Sequence, residues 1–147
     1  MKLLPDFLPA STIALAFFIP LLIDSGGNTG SQSATLMVRA IATGDVRLNQ
    51  WLATLGKELC IGIALGVTMG LASSILGIFR GGPEVGIVVG VSMIGIVLVA
   101  NLIGMVLPFI LTRLKIDPAV ASSPLITTIA DASGLLIYFS TASLVLQ

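Results

Sequence analysis

The chain has 147 residues, 56% of them hydrophobic and only 10% charged, and its seven basic and seven acidic side chains cancel. A soluble surface takes roughly a quarter charged residues, so this composition, with a mean hydropathy of +1.10, excludes a soluble globular domain and predicts an integral membrane protein. The lack of histidine and the single cysteine, Cys60, exclude an imidazole base, a thiolate zinc cage and an internal disulfide, while zero net charge argues against a nucleic-acid partner.

A helix crossing the ~30 Å hydrocarbon core needs about 20 apolar residues. The first charge-free run, Phe7 to Ile23, is at the lower limit for spanning. Its lead-in, MKLLPD, has one lysine followed by Pro5, Asp6 and Pro9, and no small-residue cleavage site follows the run. It therefore reads as a retained membrane segment rather than a signal peptide.

Next comes DSGGNTGSQSAT, Asp24 to Thr35. One reading is a cytoplasmic turn with Asp24 as a helix cap. The other continues the first helix, which puts Asp24, Gly27, Asn28, Ser31 and Thr35 within an arc of about 100°. That face is polar where a lipid-facing helix would be apolar, and glycines that weaken a helix by up to ~1 kcal/mol each point to close approach of another group. Ser31 to Ala42 contains good helix formers, Gly44-Asp45 breaks the pattern, and Leu48 to Leu55 around Trp51 reads as a short interfacial helix.

The run Leu59 to Phe79 carries Gly62, Gly66, Gly70 and Ser74 at intervals of four, and Val85 to Thr112 opens with Gly86 and Gly90. Such rows let helices approach closely in lipid. Arg80-Gly81-Gly82-Pro83-Glu84 between them predicts an antiparallel hairpin. Asn101 is expected to form an interhelical hydrogen bond, Pro20 and Pro108 to kink their helices and free a carbonyl each, and Lys57 and Glu58 to anchor a membrane edge.

The last run, Pro118 to Gln147, is interrupted only by Asp131. An aspartate at the centre of a membrane helix costs about 3 kcal/mol on insertion scales, so it normally faces a cavity, a partner or an ion. At 100° per residue, Pro124, Thr127, Asp131, Gly134 and Tyr138 form one stripe. Carboxylates, hydroxyls, an amide and backbone carbonyls are oxygen donors suited to hard cations, and few carboxylates among many hydroxyls suit a hydrated ion. On residue chemistry alone, Mg²⁺, Na⁺ and H⁺ remain open.

Orientation follows from the basic residues. With four spans, Arg39, Arg47, Lys57, Arg113 and Lys115 share a side and Lys2 and Arg80 lie opposite, which places the 24–58 and 113–117 connections in the cytoplasm and both termini outside.

In FIPLLIDSGGNTGSQSATLMVRAIATGDV and DPAVASSPLITTIADASGLLIYFSTASLVL, the sequence resembles the MgtE family of magnesium channels and transporters over nearly its whole length. The resemblance implies an all-α polytopic membrane bundle with four or more transmembrane helices per chain, assembled as a homodimer whose ion path follows the two-fold axis. It implies a conduction-site carboxylate at Asp131, with Thr127 offering a carbonyl one turn before and Gly134 lying one turn after. The opposing positions are Gly27, Ser31 and Thr35. Ser31 is often Asn in the family, and Asp24 stands where the family often has glycine, adding a negative charge to the path. Family members usually carry cytoplasmic regulatory domains and a further membrane helix before the segment that begins near Leu4. This sequence is expected to form a single transmembrane domain, 1–147, without a soluble regulatory domain.

The expectation is a divalent-cation channel or facilitator in the cell (inner) membrane, not an enzyme, with no organic cofactor. Mg²⁺ is the transported ion that the resemblance implies, with Mn²⁺ or Ca²⁺ as alternatives; the partners are the cation, the lipid bilayer and a second copy of the chain. An H⁺- or Na⁺-coupled secondary transporter using Asp131, and a non-transporting membrane subunit, stay open as alternative functions.

Overall fold

A computed structural model describes residues 10–147, and over them the chain is a bundle of four long helices with no strand. These are α1 (Ala10–Thr43), α2 (Trp51–Gly81), α3 (Pro83–Arg113) and α4 (Ser123–Val145), and each is long and apolar enough to cross a membrane. The start of the first run at Phe7, the reading of MKLLPD and the contribution of Lys2 to the charge count lie outside the described residues.

The first helix does not stop at Ile23. It continues for 34 residues, through Asp24 and the glycines, to Thr43, so Asp24 is neither a turn residue nor a cap. The connection expected over 24–58 shrinks to 44–50. Gly44, at φ +79°, ends the helix, and the interfacial helix expected over Leu48 to Leu55 is instead a single 3₁₀ turn, Leu48–Gln50, feeding directly into α2 at Trp51. The expected hairpin is present: α2 closes at Gly81, Gly82 takes φ +87°, and Pro83 opens α3, where its missing N–H costs nothing because the first helical turn has no acceptor for it.

Helix α3 is the post against which the other three pack. With no hydrophobic drive between helices in lipid, close van der Waals contact must supply the association, and the glycine rows provide it. A Cβ added at Gly66 would lie 3.1 Å from the Ile94 carbonyl oxygen, one at Gly70 2.9 Å from that of Gly90, and one at Gly77 2.8 Å from the Gly86 Cα. Backbone therefore rests on backbone along most of the α2/α3 seam. The outer side of α2 exposes Ile63, Leu71, Ile75 and Phe79, the apolar stripe a lipid-facing helix requires.

The α1/α3 seam uses the same device. Gly30 sits where a Cβ would come within 3.0 Å of both the Ala100 carbonyl oxygen and Ile126 Cγ2, and Gly26 where one would press on Ile96 at 2.6 Å. Two of the glycines in the polar stretch are therefore explained by packing. Above them Leu15, Phe18 and Leu22 of α1 meet Val85, Val88, Val89, Met93 and Ile96 of α3 in the largest buried cluster.

Polar side chains lock this arrangement at specific points. Asn101, 3% exposed, donates from Nδ2 to the Glu58 backbone carbonyl (2.9 Å) and to Glu58 Oε2 (3.0 Å), while its backbone carbonyl accepts from Ser33 Oγ at 3.0 Å. The expected interhelical bond of Asn101 thus joins three helices, and Glu58 turns inward rather than anchoring the membrane edge. Tyr138 of α4 donates to the Leu15 carbonyl of α1 at 2.7 Å, and the Arg80 guanidinium lies 4.7 Å from the centre of the Phe17 ring. Pro20 and Pro108 lie inside continuous helices. Among the described residues, the Ser92 hydroxyl is the one buried side-chain polar atom without a hydrogen-bond partner.

Two glycines of α2 make the packing argument testable. Gly77→Ala sets a methyl against the Gly86 backbone, which cannot give way as a side chain can, and should destabilise the solubilised protein by about 1–3 kcal/mol. Gly56, with nothing within 4 Å of its virtual Cβ, should gain up to about 1 kcal/mol of helix propensity on mutation to Ala. Thermal unfolding of both variants in one detergent checks the opposite signs.

Candidate functional site

The side of the bundle away from α2 is formed by α1 and α4, which run antiparallel. Their contacts define the register: Leu15 meets Tyr138, Gly27 faces Thr127 and Asp131, and Ser31 meets Ser123. Between them lies an open groove of about 380 Å³, lined by Ile19, Pro20, Ile23, Asp24, Gly27, Asn28, Thr127 and Asp131. Towards the 44–50 end of α1, a second concavity of about 400 Å³ is lined by Ser31, Gln32, Thr35 and Leu36.

Both carboxylates sit near the middle of helices long enough to cross a membrane. Asp24 is within about 4 Å of the midpoint of α1 along its axis, and Asp131 within about 5 Å of the midpoint of α4, at 1.5 Å per residue. No lysine or arginine lines the groove. Asn28 Nδ2 donates to Asp24 Oδ2 at 3.1 Å across one helical turn, so the other carboxylate oxygen and the Asn28 carbonyl oxygen remain available as acceptors. Thr127 spends its hydroxyl proton on the Pro124 carbonyl at 3.0 Å and presents only acceptor capacity to a ligand. Thr35 does the same toward the Ser31 carbonyl at 2.8 Å.

Gly27 has a different task from Gly26 and Gly30. A Cβ there would stand 3.3 Å from Thr127 Cγ2 and 3.4 Å from Asp131 Oδ1, so its missing side chain lets the α4 carboxylate lie directly against α1. The expected facing lanes are therefore present for Asp24, Gly27, Thr127 and Asp131. Ser31 is tied at the lower end, where Ser123 Oγ donates to its hydroxyl oxygen at 3.1 Å, and Thr35 lies beyond it on the same face.

Gly134 is placed elsewhere. It is buried against α3, where a Cβ would meet Ile96 Cγ2 at 3.6 Å, and it does not line the groove. Tyr138, expected on the same stripe, is likewise buried. The helical angle does not separate them, since at 100° per residue Tyr138 falls between Thr127 and Asp131; the neighbours do, because Ile96 of α3 lies beside Gly134 and Leu15 of α1 accepts from Tyr138, where Gly27 leaves room beside Thr127 and Asp131. The polar lane at Thr127 and Asp131 thereby becomes a packing seam at Gly134 and Tyr138.

Two contributors were passed over as site residues. Asn28 shares the arc with Asp24 and stands one turn away, the spacing at which an amide can bond a carboxylate. Ser123 could be recognised only from the antiparallel register of α1 and α4, since 92 residues separate it from Ser31.

Among the described residues, no three His, Cys, Asp or Glu side chains cluster as a metal cage. Two carboxylates, an amide and hydroxyl or carbonyl oxygens along an open groove instead suit a cation that keeps much of its water, the coordination habit of Mg²⁺.

The family described as MgtE, divalent cation transporter, matches residues 19–141. The chain is 48% identical over 134 residues to the magnesium transporter MgtE of Thermus thermophilus, covering 91% of this chain and 30% of that protein. It is 35% identical over 132 residues to the magnesium transporter MgtE of Bacillus subtilis (89% of this chain, 29% of that one) and 37% identical over 134 residues to that of Enterococcus faecalis (90% and 30%). The chain thus spans under a third of the length of these relatives. With a match running from Ile19 in α1 to Thr141 in α4, across both faces of the groove, the chain belongs to the MgtE family of divalent cation transporters.

Proposed function

We propose that this chain carries a hydrated divalent cation, Mg²⁺ in the first place, through the membrane along the α1/α4 groove. The observation that carries the reading is the Asp131 carboxylate, near the middle of a membrane-length helix, open to a groove that holds a second carboxylate and no basic side chain. A charge in that position is tolerated when a counter-ion or water meets it, and the transported cation supplies the counter-charge. The three relatives, all magnesium transporters, support the choice of ion.

A single chain offers only half a conduit. Asp131 and Thr127 press directly on α1 at Gly27, so the free side of the groove opens outward from the bundle. A second copy related by a two-fold axis would close it, the usual symmetry of a homodimer, with the two Asp131 carboxylates facing one ion between them. In this reading α1 enters from the outside, the 44–50 and 114–122 connections face the cytoplasm, and the groove lies within the cell membrane.

The strength of the Asp131 contribution can be bounded. A carboxylate about 5 Å from a divalent ion, roughly one water away, is worth about 1.7 kcal/mol even at the dielectric of bulk water. That equals more than tenfold in affinity. Asp131→Asn should therefore lower Mg²⁺ flux into liposomes by at least roughly tenfold while the purified protein keeps its oligomeric state. Unchanged flux through a well-assembled variant would remove Asp131 from the path, and flux that requires an imposed H⁺ or Na⁺ gradient would make the protein a coupled carrier.

Asp24→Asn should weaken Mg²⁺ affinity or conductance severalfold with no loss of assembly, because the amide keeps the size and can still bond Asn28 but loses the charge. Wild-type concentration dependence in this variant would place Asp24 off the ion path.

Closure by a second copy has its own test. In a Cys60→Ser background, which removes the single cysteine, Asn28→Cys should crosslink to a dimer in lipid with a short thiol reagent. Only monomers at full labelling would rule out a two-fold path along this face.

A further inference from the structure

The opposite flank of the bundle carries a feature that the ion path does not use. Where α2 begins and α3 ends, the two helices frame an apolar pocket of about 200 Å³. Its floor is Met105 and Phe109, 1% and 6% exposed, its α2 wall is Leu55 and Trp51, and Arg113 lines it from the last turn of α3. On the α4 side lies a second concavity of about 370 Å³, lined entirely by apolar residues, among them Leu102, Ile103 and Leu107 of α3 and Ile129 of α4. The two share Val106 and Ile110. At 100° per residue, Met105 and Phe109 fall on one side of the Val106–Ile110 row and Ile103 and Leu107 on the other, so the row is a ridge between two slots.

We propose that this pair of slots is a binding site for one anionic phospholipid, with its two acyl chains straddling the Val106–Ile110 ridge and its phosphate on Arg113. The dimensions fit. With a ~30 Å core spanned by about 20 residues centred on the 31-residue α3, the hydrocarbon ends near Pro108. Arg113 then stands about 7–8 Å beyond it, at headgroup depth. Trp51, with the amphipathic ring that favours the headgroup level, lines the same pocket.

Charge selects an anionic lipid over a neutral one. This end of the bundle carries Arg39, Arg47, Lys57, Arg113 and Lys115, and its acids are held by other groups. Asp45 accepts from Thr43 Oγ1 at 2.6 Å, Glu58 from Asn101 Nδ2 at 3.0 Å, and Asp117 from the Ala119 N–H at 2.9 Å. The exposed Arg113 guanidinium is left to an outside anion, and its planar fork suits a phosphate.

The site reports on itself, because Trp51 is the chain's single tryptophan. The experiment measures quenching of Trp51 fluorescence in bilayers doped with phosphatidylglycerol or phosphatidylcholine brominated in mid-chain. Brominated phosphatidylglycerol should compete for the site about fivefold better, the factor given by about 1 kcal/mol per basic residue at an anionic surface. Arg113→Gln should erase that preference, whereas Lys115→Gln, beside but outside the pocket, should keep it. Equal quenching by the two lipids in the wild type, or equal loss in both variants, would overturn the proposal, the latter by reducing the preference to diffuse surface charge. Quenching by neither lipid would also overturn it, since a second copy or another helix would then cover the pocket. Ion flux plays no part in this readout, so its outcome is separate from that of the α1/α4 path.

Discussion

The structure depends on how closely backbones can approach in a solvent as apolar as the side chains themselves. Between lipid-embedded helices there is no water to expel, and contact has to come from surfaces small enough to interlock. Glycines at 66, 70 and 77 of α2, at 86 and 90 of α3, and at 26 and 30 of α1 supply them. They determine that α3 is the central post and that α2 sits on one side of it with α1 and α4 on the other. Each costs helix propensity, up to about 1 kcal/mol, and the three closely spaced in α1 survive mid-helix because they are held by neighbours.

That same economy separates packing from ion chemistry within one short stretch. Gly26 and Gly30 face α3 and Ile126, Ser33 bonds the Asn101 carbonyl, and Thr29 turns its hydroxyl back to Ser25 at 2.8 Å. The intervening Asp24, Gly27, Asn28 and Ser31 look toward the groove. One helix thus serves two neighbours with alternating residues, and a one-residue shift that carried Asp24 to the buried position of Ser25 would break both.

Much of this was readable from the residues alone. Charge-free run lengths placed α2, α3 and α4, Gly-Gly-Pro placed the hairpin, and 3.6-residue geometry placed Asp24, Gly27, Asn28, Ser31 and Thr35 on one face. What was missed shares a cause: local signals were read where a distant contact decided the outcome. DSGGNTG is open to a turn or a continued helix, and the contacts of Gly30 with Ala100 and Ile126 go with the helix. Glu58, next to a lysine at a run's edge, looks like an anchor until Asn101, 43 residues on, bonds it. Gly134 shares the stripe of Asp131, but Ile96 of α3, 38 residues earlier, covers it one turn further on. Asp131 stands out as the lone charge of its run before any family likeness is considered, but the division of labour among the α1 glycines follows only from the packed structure.

The length of α1 has a mechanical meaning. At about 51 Å it is much longer than a ~30 Å hydrocarbon core, and no proline or non-helical residue interrupts it between Asp24 and Thr43. Pro20, the position where a missing backbone bond allows bending, lies on the far side of Asp24. Below the groove the helix runs unbroken to Thr43, and the backbone bond that Pro20 cannot make lies one turn above the carboxylate. A helix about 20 Å longer than the core must tilt or stand clear of it, so one continuous element ties the polar stretch at Asp24 and Gly27 to whatever lies beyond the hydrocarbon.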